Sequence, residues 1–128
     1  MKVDRLMNRE DRLKVAAKIA ELSDLPLSTQ ENLKSNYVAL KIESGPYSNA
    51  ICVHNNRVSF LIRSTDLLKK ATEDRLNPEP APRTVPMDEN KFLFWGLGMS
   101  DIQAHEALFR EIVMESVRTI MDLRPKKK

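Results

Sequence analysis

Chemistry near neutral pH would fall first to two histidines, one cysteine and a few serines and acids. His105 lies at helical spacing between Ile102 and Phe109, so it reads as a half-buried packing residue. Its neighbour Glu106 points elsewhere on a helix, and the two do not form a ready-made acid–base pair. Cys52 sits in a strand-like run and reads as a small buried hydrophobe. Ser48, Ser59, Ser64 and Ser100 have no nucleophile-elbow context, and the last two suit helix caps better.

Metal and phosphate chemistry find little support. Two histidines and one cysteine are not spaced as a closed zinc set, and Glu73, Asp74, Asp88 and Glu89 lack a calcium-loop pattern. The segment WGLGM, from Trp95 to Met99, holds two glycines but neither a dinucleotide fingerprint nor a phosphate loop. No metal and no cofactor are expected.

Anion recognition has better material. His54 and Arg57 flank Asn55-Asn56, a dipeptide suited to a two-residue hairpin turn because Asn tolerates positive φ. That turn pairs His54 with Arg57, Val53 with Val58, Cys52 with Ser59 and Ile51 with Phe60. Extending the register pairs Val38 with Val53 and Leu40 with Ile51. One face of this three-strand meander then carries Val38, Leu40, Ile42, Ile51, Val53, Val58, Phe60 and Ile62, an apolar set that helices must cover. The other face carries Tyr37, His54 and Arg57 in one row, then Ala39, Cys52 and Ser59, then Lys41, Ala50 and Leu61. Tyr37, Lys41, His54, Arg57 and Arg63 are therefore the ligand or nucleic-acid contact candidates, cations for phosphate and an aromatic ring for a base. Lys69, Lys70 and Lys91 extend that patch if their segments fold nearby.

The elements around the meander follow from periodicity. Asn8 and Asp11 form a helix start, and a helix from about Arg9 to Ser23 presents Leu13, Ala16, Ala17 and Ala20, with Ile19 and Leu22 beside them. Ser28 and Glu31 repeat a capping-box spacing and predict a short second helix to Ser35. Gly45-Pro46 marks a turn between strands. Ser64 caps a helix over about Thr65 to Arg75, with Leu67, Leu68 and Ala71 inward. Pro78, Pro80, Pro82 and Pro86 exclude regular helix, so 76–89 reads as an extended proline-rich linker. A strand over Lys91–Leu97 sends Phe92 and Phe94 one way and Leu93 and Trp95 the other. Ser100 and Gln103 then open one long helix to Leu123, roughly 33 Å at about 1.5 Å per residue.

The expected fold is α+β, with an antiparallel three- to four-stranded sheet, helices packed mainly on one face and a long C-terminal helix. Residues 1–123 form a single domain, and 124–128 form a basic tail. Of 21 basic residues, Arg124, Lys126, Lys127 and Lys128 belong to that tail, which leaves 17 against 18 acids, so the body is near neutral. No apolar run approaches the ~20 residues of a membrane span, and the acid-bearing N-terminus has no signal core, which points to a cytoplasmic protein.

The favoured role on sequence alone is a small non-enzymatic protein-interaction or structural module that self-associates as a homodimer. Its interface candidates are Phe92, Phe94, Trp95, Val113, Val117 and Met121. A nucleic-acid binder using the mixed basic sheet face is the alternative, followed by a small-molecule binder or an enzyme with a non-obvious active site.

Overall fold

The computed structural model describes residues 7–42, 51–82 and 90–123. Helix α1 spans Arg9–Glu21, where the Asn8 side chain accepts a 2.8 Å hydrogen bond from the Asp11 amide. Its inward face is Val15, Ala16 and Ile19, with Leu22 just beyond. The stripe is therefore rotated from the expected one, and Ala17 is exposed. Arg12 is buried as well, and its guanidinium donates to the Met7 carbonyl at 2.9 Å.

A hairpin, not a helix, follows. Strand β1, Leu27–Asn32, pairs antiparallel with β2, Tyr37–Ile42, from Leu27 opposite Ile42 to Asn32 opposite Tyr37. The Asn32 side chain accepts from the Ser35 amide at 2.8 Å, and Asn36 takes φ 57, a left-handed turn conformation that Asn tolerates better than most residues. Strands β3, Ile51–Val53, and β4, Arg57–Leu61, complete the meander, with Val53 opposite Val58 and Val38 opposite Val53. Helix α2, Thr65–Glu73, is capped by Ser64 as its sequence predicts.

The proline-rich stretch contributes structure of its own. Glu79–Pro80 forms a two-residue strand, β5, at the sheet edge. Strand β6, Lys91–Trp95, inserts between β4 and β5, so the order is β1-β2-β3-β4-β6-β5. The sheet thus has six antiparallel strands, not three or four. The two unforeseen strands are β1, polar apart from Leu27, and β5, too short to carry an alternation.

The C-terminal helix is two helices. Helix α3 spans Met99–Ala104 and α4 spans Glu106–Leu123. His105 leaves helical geometry at φ −124 and ψ 40, and its Nδ1 lies 3.3 Å from the Asp74 carboxylate. The cap is also displaced from Ser100 to Gly98, whose amide donates to Asp101 Oδ2 at 2.9 Å.

Helices α1 and α4 cover the sheet face that bears Val38, Leu40, Ile51, Val53, Val58 and Phe60, all fully buried. Phe60, Phe94 and Phe109 join β4, β6 and α4 through ring contacts of 5.5, 5.8 and 6.1 Å. The expected turn at Gly45-Pro46, residue Ala50, part of the linker (83–89) and the basic tail (124–128) lie outside the described residues.

Candidate functional site

The sheet face turned away from α1 and α4 is built by strand pairing alone. Asn32 is opposite Tyr37, the His54 amide donates to the Arg57 carbonyl at 2.8 Å, and Arg57 is opposite Trp95. Pairing residues share a side of the sheet, so Asn32, Tyr37, His54, Arg57 and Trp95 form one row across five strands. The next row is Gln30, Ala39, Cys52, Ser59 and Leu93, with Glu79 at its end. The third holds Ser28, Lys41, Leu61 and Lys91.

Contacts along the first row link neighbours. Asn32 Nδ2 donates to the Tyr37 hydroxyl at 3.3 Å. The Tyr37 and His54 rings lie 5.3 Å apart, tilted by 46°. The Arg57 guanidinium stands 5.3 Å from the centroid of the Trp95 ring, a cation–π arrangement, while its Nη1 donates to Asn56 Oδ1 at 2.9 Å. Tyr37, His54, Arg57 and Trp95 are each half-buried. Ala39, Cys52, Ser59 and Leu93 in the middle row are buried, as is Leu61 in the third.

Electrostatics on this face are set by burial and by its cations. Burial, then Arg57 and Lys91, push the His54 pKa down to about 4, so the ring is neutral at pH 7. Burial raises the Cys52 thiol to about 11 against the opposing pull of Lys91 and Arg57, which keeps it protonated. The positive field at the row thus comes from fixed side chains, with an acid, Glu79, at one margin.

Most of the ligand candidates converge here. Tyr37, His54 and Arg57 stand in one row, and Lys41 lies four residues along β2, two rows away on the same side. Arg63 does not join them. Its Nη2 binds Asp122 Oδ2 of α4 at 2.6 Å, and its amide binds Glu115, so it is drawn to the helical side. Lys91 does join, carried by β6, whereas Lys70 lies beside α4, 3.9 Å from Glu111. Asn32 lies in β1, a stretch whose Ser28 and Glu31 spacing imitates a helix start. Trp95 was visible as an aromatic, but only the β4–β6 pairing shows which residues it meets.

The interface candidates divide. Phe94, Val113 and Val117 are buried within the chain's own core, Phe92 and Trp95 are half-buried, and Met121 is exposed. No family model, curated protein or solved structure matches the chain. Among the described residues, no three His, Cys, Asp or Glu side chains gather to hold a metal ion, and no helix is long and apolar enough to cross a membrane.

Proposed function

We propose that this protein is a binding module that takes single-stranded nucleic acid on the sheet face turned away from α1 and α4. The observation that carries the proposal is the pairing of Arg57 with Trp95, which brings a second large aromatic ring into the row of Tyr37 and His54. Tyr37 and Trp95 lie three strand steps apart, roughly 14 Å at about 4.8 Å per step. That separation leaves room for more than one base. Rings and guanidinium planes stack bases without regard to sequence, and Arg57, Lys41 and Lys91 supply charge for the phosphates between them.

Binding is favoured over catalysis by the state of the reactive groups. A thiol held near 11 is a poor nucleophile at pH 7, and an imidazole held near 4 is a weak general base there.

The test is fluorescence anisotropy with a labelled single-stranded oligonucleotide of about 10 nucleotides, titrated across salt concentrations. Affinity should fall as salt rises, and Trp95→Ala should weaken binding without altering the salt slope. An absence of binding at low salt, or binding indifferent to both Arg57→Ala and Lys91→Ala, would reject this face as the site.

A further inference from the structure

A second surface lies on the helical side of the sheet. A groove of about 230 Å³ runs between the segment after α1 and the C-terminal half of α4. One wall is Asp24 and Leu25. The other is Met114, Val117, Arg118 and Met121, a single helical stripe at spacings of three and four residues. Three large hydrophobic side chains are exposed among the described residues, and two of them, Leu25 at 42% and Met121 at 38%, meet in this groove. Asp24 and Arg118 are exposed on opposite walls. Arg118 approaches an acid of its own chain only loosely, at 3.9 Å from Glu115 Oε1.

We infer that this groove is a two-fold interface with a second copy of the chain. The charges select that occupant. A surface with an acid on one wall, a base on the other and apolar side chains between is complementary to itself under a two-fold rotation. The rotation lays the Asp24–Leu25 wall of each copy on the α4 stripe of the other. Asp24 then meets Arg118 of the partner subunit, twice per dimer, and the exposed Leu25 and Met121 leave water together. Met121 thereby acts at an interface, whereas Val113, Val117 and Phe94 stay in the core, with Val117 flooring the groove.

The test is a charge exchange read by native mass spectrometry and light scattering. Wild type should be dimeric, and Asp24→Arg and Arg118→Asp should each be monomeric, because each places like charges across the axis twice. An equimolar mixture of the two variants should recover a heterodimer, since both cross-axis pairs become attractive again, with its dissociation constant at least about tenfold below that of either variant alone. Both positions are exposed, and circular dichroism confirms folding. Met121→Glu serves as an independent second disruption. A monomeric wild type, a dimer indifferent to all three variants, or monomeric variants that fail to recombine would each overturn the inference.

Discussion

Arg57 lies over Trp95, its guanidinium carbon 5.3 Å from the ring centroid, and the two are opposite one another on adjacent strands. Trp95 is the only tryptophan in the chain, so this contact has its own optical signal. Arg57→Ala should change Trp95 emission and cost about 0.5–1 kcal/mol of stability, the usual range for such a pair. It should also weaken oligonucleotide binding and reduce the salt slope by about 1, whereas Arg57→Lys should keep the slope and lose only part of the affinity. A wild-type slope in Arg57→Ala would remove this arginine from the phosphate contacts.

His54 predicts a pH dependence of known sign. Its folded pKa, about 4, lies below the ordinary histidine value, so the unfolded chain binds the extra proton first. The stabilisation is complete above about pH 6.5 and is lost as pH falls toward 4. The loss should be about 1–2 kcal/mol after allowance for solvent screening at a half-buried ring. Urea titrations at a series of pH values should show this decline in wild type and flatten it in His54→Gln. Anion binding runs the other way. A bound phosphate favours imidazolium, so oligonucleotide affinity should rise between pH 7 and 5 in wild type and hold level in His54→Gln.

The meander was legible because its information is local. Asn55-Asn56 marks the turn, although neither residue takes the expected positive φ, and strict alternation over Val58, Phe60 and Ile62 then fixes which side faces the core. Strand β1 carries no such alternation. Its core-side residues are Leu27, Thr29 and Glu31, and only the first is apolar, while Ser28 and Glu31 imitate a helix start. Glu31 is instead held by a long-range partner, with Arg9 Nη2 of α1 donating to its Oε1 at 2.9 Å. The break at His105 was equally hidden. Ile102, Phe109 and Ile112 keep helical phase across it, and the Asp74 contact that accompanies it comes from the residue that ends α2. The row at the candidate site was half legible for the same reason: Tyr37, His54 and Arg57 follow from neighbouring strands, but Trp95 arrives from 38 residues beyond Arg57 in sequence.

Phe94 separates a core role from an interface role. It is fully buried and meets both Phe60 and Phe109 edge-on within one chain. Phe94→Ala should therefore lower stability by about 3–5 kcal/mol, as expected for an aromatic removed from a packed core. Equilibrium denaturation should reveal that loss at any protein concentration. A concentration-dependent loss of mass with unchanged stability would instead assign Phe94 to a subunit contact.

The join between α4 and the end of β4 is polar and buried, and it should be the most sensitive to small substitutions. Ser116 is fully buried, and its hydroxyl accepts from the Leu61 amide at 3.1 Å while donating to the Leu61 carbonyl at 2.8 Å. From the preceding residue of α4, Glu115 Oε2 accepts from the amides of Arg63 and Ser64, both at 2.9 Å, and so anchors the start of α2. Ser116→Ala would strand two backbone groups of Leu61 out of reach of water, at a cost of about 1–3 kcal/mol. Glu115→Ala should cost a similar amount by releasing two amides at once, and Glu115→Gln should cost less because its carbonyl oxygen still accepts. Amide hydrogen exchange gives the sharper readout. Ser116→Ala should accelerate exchange at Leu61, and Glu115→Ala at Arg63 and Ser64, with the β2–β3 pairing unchanged. Uniform acceleration over the whole sheet would mean that these bonds serve global stability and do not tie α4 to this one strand end.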